Sequence, residues 1–229
     1  MMTFLNQHIT RVKQALTAYK KDHEGTATIE FVLIAPLLIF LYIGLYEISI
    51  AYTVNGAVNR STEVVASFPT FEETLNETQV ANIMTAAAAV LDYPSFDIDN
   101  LAIKFYSIEQ VTNEASSRRL VGRAVYEGGQ AQGILPDQTA ADFQSSLSSI
   151  GAGDGFVVAS LAYKYEPAIT TRYVQTVVLS DQKILNPREN QGQALVITSS
   201  AGVERADLNC NPAAAGSIAF NCTSSGALP

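Results

Sequence analysis

Histidine is almost missing from this chain of 229 residues: His8 and His23 are the only two, and both precede residue 25. Everything downstream lacks an imidazole, which excludes His-based Ser or Cys triads and His-liganded metal sites there. Positive charge is scarce as well. No Lys or Arg stands between Lys21 and Arg60, and from Ser61 onward 9 basic residues face 18 acidic ones. With a formal net charge of -8, binding of nucleic acid through its phosphates is disfavoured, and the acidity reads as a solvated face. Gly128-Gly129 and Gly151-x-Gly153-x-Gly155 are followed by no Lys and lack a strand-then-helix setting, so they read as turns and not as a phosphate loop. Asp92, Asp97, Asp99 and Glu109 offer carboxylates, but nothing in their spacing marks an acid/base pair, and Asp97-x-Asp99 reads as a turn. No catalytic residue and no cofactor are expected.

What the chain has in abundance is one apolar run. From Phe31 to Tyr46 there is no charged residue, and the apolar character extends from Ile29 to about Tyr52. As a helix it would span ~36 Å, enough for the ~30 Å hydrocarbon core of a bilayer. One membrane crossing follows. Arg11, Lys13, Lys20 and Lys21 lie before it against Asp22 and Glu24, so the positive-inside rule keeps the first 24 residues in the cytoplasm and exports the long C-terminal part. Ile9, Val12, Leu16 and Tyr19 recur at helical spacing and would make this leader an amphipathic helix on the inner surface. A secretory signal peptide fits less well, because the run begins late and lacks a small-x-small cleavage site before polar sequence. Pro36 removes one backbone donor inside the helix. Beyond Tyr52, Val54, Ala57, Val58, Val64, Val65 and Phe68 continue one apolar stripe to about Ser67, where Pro69 stops it.

Glu30 stands inside the leading edge of the run, where a carboxylate is costly in lipid. Gly25 precedes it by five positions, and the pattern Gly25-x-x-x-x-Glu30-Phe31 ahead of an apolar helix resembles the cleavage signal of type IV prepilins. That resemblance implies a cut after Gly25 by a membrane peptidase, with Thr26 as the new N-terminus and Glu30 facing a neighbouring subunit's free amine. A carboxylate and an ammonium attract strongly at low dielectric, where either alone would be penalised. Glu30-Phe31-Val32-Leu33, Pro36 and Gly44-Leu45-Tyr46-Glu47 followed by Ala51-Tyr52 narrow the likeness to TadE/TadF-like minor pilins, or pseudopilins, of tight-adherence (Flp-type, type IVc) pilus systems. Such proteins often carry an Arg soon after the second Glu; here Ile48-Ser49-Ile50 stands instead. The resemblance implies a role in pilus assembly, with adhesion and biofilm formation as consequences. The implied partners are a prepilin peptidase, the major Flp pilin, other minor pilins, the inner-membrane assembly platform and the membrane itself. A plain signal anchor is the competing reading of Gly25 and Glu30, since Glu near a helix N-terminus is favoured anyway. Glu47 falls near the outer interface, where a carboxylate is cheap.

After the helix about 160 residues remain, enough for one domain with its own core. The organisation expected is a leader at 1–25, a transmembrane and assembly helix at 26–68, and an exported α+β head at 69–229. Residues 77–92 place Val80, Ile83, Met84, Ala87 and Leu91 on one helical face, closed by Pro94. Residues 101–111 alternate as a strand with one buried face, and 120–126 offer a short strand within a loop. Asp137 could cap a short helix to about Ile150. The strongest strand signals are 156–167, 172–180 and 194–204, the first two joined by a short connection. An antiparallel sheet packed on helix is the simplest way to bury them. Tyr163-x-Tyr165-x-Pro167 also resembles the TadE/TadF pattern.

Cys210 and Cys222 lie in a small C-terminal tail on the exported side. An oxidising compartment would let them form a disulfide contributing ~3 kcal/mol on the chain-entropy model; metal binding is the rival, and two Cys without a nearby His make a poor site. Three function classes stay open: an assembly protein, an uncut single-span anchor with an exported ligand- or cell-wall-binding domain, and a tethered hydrolase working through carboxylates.

Overall fold

The computed structural model describes residues 24–91, 96–112, 117–143, 151–167, 175–188 and 193–228. The expected leader helix, Pro94 and the C-terminal end of the helix expected at 137–150 lie outside these residues. Backbone contacts divide the chain into two units, Met1–Ile48 and Ser49–Pro229.

Helix α1 runs unbroken from Glu24 to Ser67, 44 residues with Pro36 inside, or ~66 Å at 1.5 Å per residue. Its pattern changes along its length. Residues 29–46 expose apolar side chains on every side, as a helix meant for an apolar surrounding does. From Ser49 on, burial narrows to one stripe, Val54, Val58, Ser61, Thr62, Val65 and Ala66, at the i, i+4, i+7 spacing of a helix lying on a core. The stop falls where expected: a 3-10 turn, Phe68–Phe71, carries Pro69 at its start. Then come β1 (Thr74–Asn76) and α2 (Glu77–Val90). Asn76 and Gln79 form a capping box, each side chain bonded to the other's backbone amide at 2.9 Å, which satisfies two otherwise orphaned donors.

The second unit is built on one sheet of six strands in the order β5-β4-β2-β3-β7-β8. These are β2 (Leu101–Gln110), β3 (Arg118–Glu127), β4 (Gly155–Tyr165), β5 (Val177–Leu185), β7 (Ala206–Pro212) and β8 (Phe220–Ala227). All neighbours are antiparallel except β3 and β7, so the α+β expectation of strands packed on helix holds. Short β6 (Val196–Thr198) pairs parallel with β1 and lies against β3, where a Cβ on Gly122 would come within 2.4 Å of the Ile197 side chain. Only glycine lets the two strands approach so closely.

The main core lies between the helices and one face of the sheet. Val54, Val58 and Val65 of α1 and Val80, Met84 and Ala87 of α2 pack with Leu101, Ile103, Phe105, Val157, Ala159, Leu161 and Leu208. Strand β2 departs from the expected single buried face: nine of its ten residues are buried. The segment 128–143 folds over the outer face, where Phe143 joins Tyr106, Ile108, Phe156 and Val158, and Ala131 and Leu135 join Ala102 and Ala162.

Three further expectations shift. The strand expected at 120–126 is longer and central. Of the strand expected at 172–180, residues 172–174 lie outside the described residues; the described strand starts at Val177 and runs on to Leu185. In place of a helix from Asp137, the described residues hold a short 3-10 turn, Ala140–Phe143. The C-terminal tail is not loose: it forms β7 and β8.

Candidate functional site

The residues singled out in sequence lie on α1. Gly25 and Thr26 fall in its first turn. Glu30 is exposed, and Phe31 beside it is 66% exposed. Pro36 is exposed, and the helix continues through it without a break. Phe31 at 66%, Val32 at 60% and Leu33 at 74% stand about 100° apart around the helix, so among the described residues this apolar stretch is exposed at successive azimuths. By length and composition it is a helix able to cross a membrane once. Gly44 has open space around its Cα, which leaves room for another backbone to approach. Glu47 differs from the water-facing carboxylate expected at an interface: it is 7% exposed, while its neighbours Tyr46 and Ile48 are 50% and 68% exposed.

In the second unit the charged residues form a structural clasp. The Lys104 ammonium, buried on the outer face of β2, donates to the Leu135 carbonyl at 2.8 Å and to Asp137 at 2.7 Å, and lies 2.9 Å from Glu127. Two of its protons have hydrogen-bond acceptors and the Glu127 carboxylate stands beside it as an ion-pair partner, which offsets the cost of burying the ammonium. Asp137 also accepts from Arg123 at 2.9 Å, and Arg123 reaches Asp207 at 3.3 Å. Burial pulls the Lys104 amine down, but the hydrogen bonds to Asp137 and Glu127 outweigh it and hold it above its ordinary range. The hydrogen bond from Lys104, aided by Arg123, holds the Asp137 carboxyl below the usual range. This clasp fastens the 128–143 segment to the sheet. Asp137 thus works as an ion-pair partner and not as a helix cap.

An open groove of about 290 Å³ lies between that segment and strands β4 and β5, lined by Leu135, Gln138, Ser160, Ser180 and Gln182. Its amides and hydroxyls already bond one another: Gln182 donates to Gln138 at 3.0 Å and to Ser160 at 2.9 Å. Among the described residues no group of His, Cys, Asp and Glu could hold a metal ion. Asp97 accepts from the Asp99 amide at 3.0 Å within a 3-10 turn, so that pair is a turn, as its spacing indicated.

The cysteines meet. Cys210 of β7 and Cys222 of β8 stand directly opposite in register and form a disulfide. Their strands were missed in sequence although the signal is there, since Ala206, Leu208 and Cys210 alternate with Asp207, Asn209 and Asn211.

Comparison with known proteins bears on the helix. Residues 25–66 match the family model of TadE-like protein. The TadE-like segment begins at Gly25 and stops one residue short of the end of α1. It relates this part of the chain to pilin-like proteins of Tad pilus systems, and it leaves the sheet outside the match. Neither curated proteins nor solved structures gave a match to the chain.

Proposed function

We propose that the chain is a minor pilin, or pseudopilin, that takes part in assembling Flp-type pili. One observation carries the reading: the TadE-like match coincides with a helix whose apolar residues are uncovered on every side between 29 and 46. Lipid satisfies such a surface before assembly, and the helices of other pilins satisfy it afterwards. A prepilin peptidase cuts after Gly25, the amine of Thr26 is freed, and Glu30 accepts an amine from a neighbouring subunit. A buried carboxylate is tolerated when an ammonium and its hydrogen bonds accompany it. Phe31 and Pro36 shape the contact face beside it. The basic leader stays in the cytoplasm, the helix sits in the inner membrane, and the β-rich head lies outside. The major Flp pilin, other minor pilins and the inner-membrane platform are the partners, and adhesion and biofilm formation are the outcome. The role is structural and not catalytic.

The test is the intact mass of the protein recovered from membranes with and without the system's peptidase, beside Gly25→Ala. A mature chain starting at Thr26, seen only when both peptidase and Gly25 are present, is expected. Retention of Met1 in every case overturns the reading and favours an uncut anchor with a binding head.

A further inference from the structure

The two edges of the six-stranded sheet are treated differently. At β8, α2 covers the edge: the Phe220 amide donates to Thr85 Oγ1 at 3.0 Å, and the Ser224 amide donates to Glu77 Oε1 at 3.2 Å. A register irregularity between Asp207 and Leu208 further disturbs that edge. Strand β5 has neither device. It pairs residue for residue with β4 over nine positions, without irregularity, and among the described residues nothing bonds its outer backbone edge. A long, regular, open edge is a template for another strand.

The sequence of β5 says which strand. Read outward from Gln182, Asp181 is matched by Lys183, Ser180 by Ile184 and Leu179 by Leu185. We infer that β5 pairs antiparallel with β5 of a second copy, about a two-fold axis at Gln182, and joins the two sheets edge to edge. In that register each Asp181 stands opposite the partner's Lys183, and no like charges face one another. Directly opposed residues in an antiparallel pair share a face at about 4.5–5.5 Å between Cβ atoms, so both ion pairs form at once. Within one copy the Asp181 and Lys183 side chains already lie on the same side of the strand, 3.4 Å apart. Leu179 and Leu185 pack half-buried against the main core and Ile184 against the outer one, so the seam carries both apolar layers across the axis. A strand-to-strand seam of this length is small. Anchoring in a shared membrane raises the effective concentration of copies and offsets that weakness. An isologous contact of this kind closes as a dimer and does not propagate.

The full chain in detergent, followed by sedimentation equilibrium, tests the inference. Wild type and the double variant Asp181→Lys/Lys183→Asp should dimerise alike. Asp181→Lys alone and Lys183→Asp alone put like charges opposite each other and should weaken dimerisation on the order of tenfold, with thermal melts close to wild type because the site is at the edge. As a second readout, Gln182→Cys should form an intermolecular disulfide under mild oxidation much faster than Gln130→Cys, placed in an exposed turn. A monomeric wild type, single variants that dimerise as well as wild type, or equal cross-linking at 182 and 130 would each overturn it. Dimers held by α1 alone give the second of these results, so a failure here leaves the pilin reading untouched.

Discussion

Tyr126 lies 3% exposed, with its hydroxyl donating to the Ile98 carbonyl at 3.0 Å and its ring edge-on to Phe220 at 4.8 Å. Burial, then the nearby charges of Asp99 and Asp97, push its phenol up to about 12. In the unfolded chain a phenol titrates near ~10, so the folded state holds this proton more tightly. The stabilisation is complete below pH ~10 and is lost as pH rises toward ~12, up to about 2.7 kcal/mol for that displacement. Lys104, also raised, acts in the same direction just above its unfolded value of ~10.4. Asp137, lowered, adds stability that disappears as pH falls below ~4. We expect Tyr126→Phe to melt about 1 kcal/mol less stably at neutral pH for the lost hydrogen bond, and to show a shallower decline between pH 10 and 12, both followed by circular dichroism. An alkaline decline as steep as wild type's would assign the slope to other groups. At this scale the sequence was readable only in part. Gly25, Glu30 and Pro36 stand out through the likeness of their pattern to prepilin and TadE/TadF-like signals. Lys104 looked like a solvent-facing residue of a half-buried strand, because the segment that covers it, and the Asp137 that pairs it, lie some thirty residues further on.

At the scale of elements, the legible parts were those whose period and stop signals agree. α1 ends at Ser67, just before Pro69, and α2 starts at Glu77, where its apolar spacing begins, as their residues indicate. β7 and β8 read as a tail because Leu208 and Phe220 are their only large apolar residues; tertiary pairing and one covalent bond overrode weak strand propensity. That bond closes a loop with a separation of 12 residues. Replacing both Cys210 and Cys222 by Ser should cost about 3 kcal/mol, seen as a lower denaturant midpoint, and reduction of the wild type should match the double variant. Equal midpoints for oxidised and reduced protein would show that the strand pairing and the Phe220 packing suffice. Among the described residues nothing bonds the outer edge of β5, so no partner strand on that side fixes its ends.

For the molecule as a whole, the uncovered helix is the feature that sets behaviour. Leu38, 52% exposed, sits near the middle of the apolar window, and Leu38→Arg should cost about 2.5–3.5 kcal/mol of insertion. Full chain carrying it should shift into the soluble or aggregated fraction on membrane flotation, while Arg at Asn59, an exposed position beyond the span, should leave the distribution unchanged. The reverse pattern would place the lipid-facing stretch elsewhere. The head's organisation was less accessible from sequence than this span, since six strands ordered β5-β4-β2-β3-β7-β8 bring together residues far apart in the chain. The bridge across β7 and β8 also changes how the protein meets proteases. Residues 213–216 form an exposed turn between the bridged cysteines, the kind of site where nicking concentrates. A cut there frees no fragment, because the two ends remain joined through sulfur. The nicked chain should run as one band without reductant and as two with it, with the final strand still seated against α2.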